Sequence, residues 1–455
     1  MSALWTSAAL AAATGGTASA AFDVGGVAFD SREVGQGDLF VALAGETTDG
    51  HRFLDQAFAQ GAAGAIVSAE TPHPHVRVQD SFVALEAIAR AARDRTAARV
   101  IGVTGSVGKT SAKEALFACL DRGMRGQVHR SVKSYNNHTG VPLSVARMPA
   151  ATRAAVLEMG MNHPGELAHL TTLVRPHVAI VTAIAPAHTE FFPDEAAIAD
   201  AKGEIFRGLE PGGTAIVPFD SPHRDRLIAA ARRHAGRIVT FGEGKGADVR
   251  ALESMRLDSG ASFVTASIGE RELSFTLSQP GAHWVSNALA VLAAVDAIGA
   301  DLGLAGLALA ELGGLPGRGA RFTTVLPGGE ALVIDESYNA NPASMRATLA
   351  VLANEPGRHV AVLGDMLEMG DASVAYHVGL TDAVIAARVE AAVLVGEAMA
   401  PLAAALAGRM DIVHVADATA ASTAVRDMLA PGDVVLIKGS NGVGLARVVA
   451  GLRGA

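Results

Sequence analysis

A buried strand that runs straight into a glycine loop and then a helix restricts a chain more than any other short feature here. Residues 99–120 read RVIGVTGSVGKTSAKEALFACL. The run RVIGVTG is apolar without alternation, as in a parallel strand covered on both faces, and KTSAKEALFACL is helix-like. Strand, loop and helix in that order build a doubly wound sheet, and the helix start after the loop offers unpaired N–H groups to an anion. Gly105 and Gly108 would let the backbone of Ser106, Val107 and Ser111 close around phosphate oxygens. Lys109 would bridge the outer phosphates and Thr110 would offer its hydroxyl to Mg²⁺. The pattern departs from G-x-x-x-x-G-K-[ST] at one place: Val103 stands five residues before Gly108, with glycines at 102 and 105. A glycine turn beside a solvated lysine is the plainer alternative, and the flanking strand and helix favour the phosphate site.

The same alternation recurs. AAVLEMG, HVAIVTAI and TAIVPFD are further apolar runs that end in Gly, Pro or polar residues, as parallel strands do. Residues 246–280 switch to alternating patterns, SFVTASI and ELSFTLS, which predict an antiparallel meander closed by the helix HWVSNALAVLAAVDAIG. Beyond the glycine-rich GGLPGRGAR, the runs ALVIDES, HVAVLGDM, AAVLVGE, DIVHVAD and DVVLIKGS predict a second, Rossmann-like parallel sheet. Residues 23–98 read as a smaller α/β unit, with short strands in GVAFDSREVGQGDLFVAL, a helix near 52–60 and the strand GAIVS. The expected class is α/β in three domains: a small α/β unit over 1–98, a central loop-bearing, mostly parallel sheet with its meander over 99–313, and a Rossmann-like unit over 314–455. A chain of 455 residues, half of them hydrophobic, can bury three such cores.

A formal charge of −9 with interspersed signs argues against nucleic-acid or membrane-surface binding and points to small-molecule ligands. The single cysteine, Cys119, excludes an internal disulfide and fits a reducing cytoplasm. The uncharged stretch SALWTSAALAAATGGTASAAF has an A-x-A-like end, but it lacks a basic start and is too polar to span a bilayer. It reads as the first helix and turn of the folded chain, with a signal peptide as the lesser alternative, and no other window suits a membrane span.

Mg²⁺ at a phosphate loop needs hard oxygen ligands, and Glu158 ends the run AAVLE where a side chain points into the crevice. His188, in APAHTE just past the next strand, is a candidate partner, although a lone histidine is more often structural. Lys202, in AKGEIF, lies on an amphipathic helix with Ile198, Ile205 and Leu209 inward, and most helical lysines are solvated. The polar loop KSYNNHTGVPLS, which contains Asn137, either binds a ligand or satisfies its own turns.

Eight ordered motifs, TGSVGKTS, NNHTGVPLS, EMGMNHPGEL, AHTE, AKGEIF, HWVSNALAVLAA, PGRGARF and DESYNANPASMRATL, resemble the Mur ligases, the ATP-dependent amide ligases of peptidoglycan precursor synthesis. The resemblance covers essentially the whole chain. It includes DSREVGQGDLFVALAGETTDGHRF, similar to the UDP-binding N-terminal domain of the members acting late in the pathway. Within the family, SVGKTS, YNANP and LGDMLEMG look most like the member that joins D-alanyl-D-alanine to UDP-N-acetylmuramoyl-tripeptide. T-G-S-x-G-K-T is how this family writes its loop, which accounts for Val103.

The resemblance implies a substrate carboxylate phosphorylated by ATP to an acyl phosphate, which the amine of D-Ala-D-Ala then attacks. Thr110 and Glu158 would hold one Mg²⁺, and His188 with Glu158 a second. Lys202 matches a lysine that is carbamylated in many members and would then be an anionic ligand. Asn287 matches the asparagine near adenine, Arg318 the arginine that reaches ATP phosphate, and Asp335, Tyr338 and Asn339 the residues around ribose and base. Ser31 and Arg32 match the D-S-R motif for the UDP-sugar, and Asn162 and His163 the positions facing the peptide; Asp30 and Asp49 are read as turn caps. Lys438 and Ser440 would seat the dipeptide carboxylate, with Asn441 replacing the arginine of the family's KGSR. Hinge motion is expected near 311–320, where Gly313, Gly314, Gly317 and Gly319 cluster, and a monomer is expected. The nearest alternative is the sister ligase that adds a diamino acid to the dipeptide precursor, whose diaminopimelate-selecting members carry D-N-P-R, absent here. A P-loop kinase or switch-type NTPase is the next.

Overall fold

The computed structural model describes residues 3–45, 48–187 and 189–454. Three large sheets organise them, beside a two-stranded pairing of Trp5–Thr6 with Asp23–Val24. The first runs Thr17–Ala18, His75–Arg77, Gly64–Val67, Asp38–Val41, Gly26–Ala28, parallel apart from its first strand. The segment before it is part of the core. Thr6 caps the helix Ser7–Thr14, Leu10 is buried, and the Trp5 indole N–H donates to the Ala146 carbonyl at 2.9 Å with the Arg95 guanidinium 3.7 Å above its ring.

The central sheet has nine strands in the order Arg271–Leu277, Ser262–Ile268, Val249–Arg256, Arg237–Gly242, Thr214–Pro218, Val178–Val181, Arg99–Thr104, Ala154–Glu158, Val128–Arg130. The meander is not a separate sheet, because Arg237–Gly242 pairs in parallel with Val249–Arg256 and the two antiparallel strands continue from there. Arg99–Thr104 pairs in parallel with Ala154–Glu158 on one side and Val178–Val181 on the other, so the strand order reverses there. A crevice opens at the carboxyl ends of strands at such a switch point. The helix Ala282–Ala297 covers this sheet with a nearly continuous buried surface from Trp284 to Val295.

The third sheet runs Ala320–Leu326, Gly329–Glu336, Asp433–Lys438, Arg358–Gly364, Val389–Val395, Asp411–Val415. Its first strand was hidden in the sequence. ARFTTVL pairs antiparallel with Gly329–Glu336 at the sheet edge, where only one face is covered and polar residues are tolerated. The strands Val128–Arg130, three half-buried residues, and Arg237–Gly242, whose first residue is exposed, also escape the sequence pattern. Among the described residues no helix is long and apolar enough to cross a membrane.

Candidate active site

Val103 is fully buried within its strand, paired in register with Glu158 and Ile180, and its carbonyl accepts from the Met159 amide at 2.8 Å. A β-branched residue suits that position, and the first loop glycine comes two residues later, after the strand ends at Thr104. Gly105 has φ +150°, and a Cβ there would lie 2.0 Å from the Thr182 hydroxyl. Gly108 has φ +87°, and its Cβ would meet the Asn287 amide at 2.5 Å. Gly108 is also the N-cap of the helix Lys109–Met124 and has no capping side chain. Without a side-chain cap, the first amides of this helix remain open to another acceptor.

Around that start, a cavity is lined by Ser106, Val107, Gly108, Lys109, Thr110 and Ser111 from the loop, and by Glu158, Asn162 and Asn287 from the same unit. Arg318, Tyr338, Asn339 and Lys438 enter it from the third unit. The Lys109 ammonium donates to the Gly105 carbonyl at 2.7 Å; burial lowers its pKa, Arg318 lowers it further and Glu158 opposes both. Glu158 is 1% exposed. One of its oxygens accepts from the Thr110 hydroxyl at 2.9 Å and the other from the Asn136 amide at 2.8 Å. The Arg318 guanidinium lies 4.1 Å over the Tyr338 ring.

Lys202 departs from the solvated lysine expected of a helix face. It sits in the last turn of Glu195–Gly203, is 1% exposed, and has its pKa lowered well below the usual ammonium value, first by burial and then by Lys109. It does not line the cavity, and His188 lies outside the described residues.

Two of the expected residues make other contacts, and a sequence neighbour of each lines the cavity. The Asn137 side chain accepts from the Gly140 amide at 2.9 Å at the start of the helix Gly140–Ala146, while Asn136 faces the cavity. Asp335 is also occupied: it accepts from the Gly317 amide at 2.9 Å and the Ser337 hydroxyl at 2.7 Å, fixing the turn that carries Arg318. Glu336 lines the cavity in its place. Glu336 and Lys438 stand 3.6 Å apart, and burial is the leading influence on both, raising the carboxyl and lowering the ammonium. The sequence signal for Glu336 was its place at the end of a buried strand, the same signal that singled out Glu158. His283 and Trp284 also line the cavity, and burial holds the His283 imidazole down at about 4.

An adjoining cavity lies between Ser106 of the loop and Ser440, Asn441 and Leu367 of the third unit. The Ser440 hydroxyl accepts from the Leu367 amide at 2.9 Å. Across this cavity the units touch directly, the Thr189 hydroxyl donating to the Met369 carbonyl at 3.1 Å. In YNANP, Asn341 caps the helix Pro342–Leu352 in a capping box with Ser344, and the Asn339 carbonyl accepts from Lys438 at 2.8 Å. Asn162 and His163 are exposed; the Asn162 backbone amide donates to Glu166 at 2.7 Å, and the His163 ring nitrogen lies 3.1 Å from the same carboxylate. In the first unit, the Ser31 hydroxyl donates to Gln56 at 3.1 Å and Arg32 forks onto Asp30. Asp30 and Asp49 cap their turns through the amides of Arg32 and His51.

A divalent cation fits one part of this geometry. Thr110 and Glu158 offer a hydroxyl and a carboxylate beside the uncapped helix start, the hard donors that Mg²⁺ takes together with phosphate oxygens and water. Among the described residues no group of three or more His, Cys, Asp or Glu forms an all-protein cage.

Comparison with known proteins follows the same division. Residues 23–106 match the Mur ligase family catalytic domain, 103–295 the Mur ligase middle domain and 320–441 the Mur ligase glutamate ligase domain. The UDP-N-acetylmuramoyl-tripeptide--D-alanyl-D-alanine ligase of Escherichia coli (strain K12) is 36% identical over 94% of this chain and 93% of its own. The crystal structure of MurF from Acinetobacter baumannii superposes with a TM-score of 0.86 at 31% identity over 99% of both chains. That of MurF from Thermotoga maritima in complex with ADP gives 0.78 at 27% identity over 94% of this chain and 97% of its own. With three matched domains in order, near full-length relatives and a common three-unit architecture, the chain belongs to the Mur ligase family.

Proposed function

We propose that this chain is an ATP-dependent, ADP-forming amide ligase that joins D-alanyl-D-alanine to UDP-N-acetylmuramoyl-tripeptide. The observation that carries the reading is that Lys109, the Thr110–Glu158 pair and Arg318, drawn from two different units, line one cavity at an uncapped helix start. The full-length relatives of that activity support the choice of substrates.

A carboxylate is a poor electrophile until it is phosphorylated. Its oxygen attacks the γ-phosphorus of ATP, the bond to the β-phosphate oxygen breaks, and ADP leaves with an acyl phosphate remaining. The dipeptide amine then adds to the acyl carbon, phosphate departs with the C–O bond, and the nitrogen loses a proton. The first step gathers several negative charges, so positioning and charge neutralisation dominate. Lys109 and the loop amides of 105–111 would bind the phosphates, and Arg318 would neutralise charge from the facing unit. Asn287, Tyr338, Asn339 and Glu336 would surround the nucleoside. Mg²⁺ held by Thr110 and Glu158 would supply further charge neutralisation. His188 and a carbamylated Lys202 would hold a second ion. The buried position of Lys202 supports this, since burial and the like charge of Lys109 favour the neutral amine, the form that adds CO₂ and loses a proton to give an anionic carbamate.

In this reading residues 1–98 bind the UDP-sugar peptide through Ser31 and Arg32, 99–313 carry the nucleotide site, and 314–455 close over it about the 311–320 peptide. Lys438 is committed to Glu336 and Asn339, so the dipeptide carboxylate falls to the cavity beside Ser440. The test is phosphate release from ATP and Mg²⁺ with UDP-N-acetylmuramoyl-tripeptide, with D-Ala-D-Ala, meso-diaminopimelate or no amine in parallel. Release that depends on D-Ala-D-Ala with a pentapeptide product by mass is expected. Release without an amine overturns the ligase assignment in favour of an NTPase.

A further inference from the structure

The loop 133–139 joins the first unit to the buried carboxylate of the central one. Glu33, which follows Ser31 and Arg32, accepts from the Tyr135 hydroxyl at 2.8 Å and pairs with the Lys133 ammonium at 2.5 Å. Lys133 has φ +48°, a left-handed backbone held in place by the Lys113 ammonium, which donates to its carbonyl. Asn136 turns the other way. Its carbonyl accepts from the Gly160 amide at 2.7 Å, its side-chain oxygen is 2.7 Å from where a Cβ at Gly160 would stand, and its Nδ2 donates to Glu158 Oε1 at 2.8 Å.

The two oxygens of Glu158 are therefore unequal. Oε1 is occupied by Asn136, while Oε2 faces the Thr110 hydroxyl, with the Lys113 ammonium 3.9 Å away. Mg²⁺ demands near-octahedral geometry, which a carboxylate bound through both oxygens, with its narrow bite, serves poorly. A partner that occupies one oxygen fixes the rotation of the carboxylate and leaves the other for the metal, as outer partners of metal ligands commonly do.

We propose that Asn136 is a positioning residue that makes Glu158 a one-oxygen ligand toward the metal of the bound nucleotide. Glu33 of the first unit, through Tyr135 and Lys133, holds the loop that carries it. The proposal rests on the nucleotide reading above.

The experiment is calorimetric binding of ADP with and without Mg²⁺, in the absence of any UDP-sugar, to the full chain and to the variants Asn136→Ala, Glu33→Ala and Glu33→Gln. In Asn136→Ala the Mg²⁺-dependent gain in ADP affinity should fall by ~10–100-fold while metal-free ADP binding is kept. Glu33→Ala should shift it in the same direction by less, and Glu33→Gln, whose amide oxygen still accepts from Tyr135, should restore it. Asn136→Ala with the native Mg²⁺ gain overturns the proposal, as does equal loss of metal-free and metal-dependent binding, which marks a merely structural role. Glu33→Ala identical to the native chain overturns the part played by the first unit, and this pair decides it alone if Asn136→Ala does not fold. Absence of any Mg²⁺ gain in the native chain is a different result and removes the nucleotide reading itself.

Discussion

The Thr110 hydroxyl donates to the Glu158 carboxylate at 2.9 Å, tying the first turn of the loop helix to the end of the neighbouring strand. The contact satisfies half of an almost fully buried anion, and it gathers a hydroxyl and a carboxylate where the phosphates would lie. Thr110→Val keeps the shape and removes the donor. A stability loss of about 1–3 kcal/mol is expected, because Glu158 Oε2 loses its hydrogen bond in a buried setting. Phosphate release should fall by at least ~100-fold, since both the metal donor and the carboxylate position are affected. Urea unfolding and steady-state phosphate release measure the two effects, and a variant with native turnover removes Thr110 from the site.

Gly108 tests the loop from the backbone side. Its φ of +87° is costly for an L side chain, and an added Cβ would lie 2.5 Å from the Asn287 amide. Gly108→Ala should destabilise by ~1–3 kcal/mol and weaken ADP binding, as the amides at the helix start are pushed off their common focus. Gly126 has a similar φ of +72° but nothing within 4 Å of its Cβ, so Gly126→Ala should carry the strain without loss of ADP binding. Equal ADP affinity in the two variants would contradict the steric part of this account.

The phosphate loop was legible in the sequence because its signal is local: strand, glycines, lysine and helix are contiguous, and Val103 misfits because the strand runs on through Thr104, so that the first loop glycine, Gly105, comes two residues past the point where the usual pattern places it. Parallel strands were legible for the same reason. Asn136 and Asn137 are indistinguishable in sequence, and only the fold turns one onto Glu158 and the other onto a helix start. Asp335 and Glu336 differ by strand alternation, whose phase depends on which sheet face meets the cavity. The burial of Lys202 was illegible because helical spacing gives a face, and whether that face meets solvent or another element is decided by packing far away in the chain.

Acid stability offers a check away from the catalytic chemistry. His129 lies in the edge strand Val128–Arg130 of the central sheet, its ring bonded to the Ser144 carbonyl at 2.7 Å, and burial brings its pKa down to about 4. The unfolded chain titrates this residue near the ordinary value of about 6.5, so below that pH the unfolded state binds the extra proton and the folded state does not. Its contribution is intact above pH ~6.5 and is lost as pH falls toward ~4, about 1.4 kcal/mol by pH ~5.5. Urea unfolding at pH 7.5 and 5.5 should show a smaller acid loss in His129→Asn than in the native chain. An identical loss would assign the acid sensitivity to other groups.

Lys202 joins stability and function in one residue. Its amine is buried, and among the described residues burial first and the like charge of Lys109 second disfavour the ammonium form. Replacing a buried ionisable group that lacks an opposite charge by an apolar side chain of similar volume is often neutral or stabilising. Lys202→Met should therefore melt at or above the native temperature and yet be inactive, which separates a functional lysine from a structural one. Lys202→Ala leaves space, and a small carboxylate such as acetate entering it supplies the anionic oxygens that a carbamate would provide. Partial return of D-Ala-D-Ala-dependent phosphate release with acetate, and none with an equal concentration of chloride, is the expected result. Native activity in Lys202→Met would return this residue to the role of a filler of the core, and unfolding of both variants would show that the buried ammonium is needed by the fold.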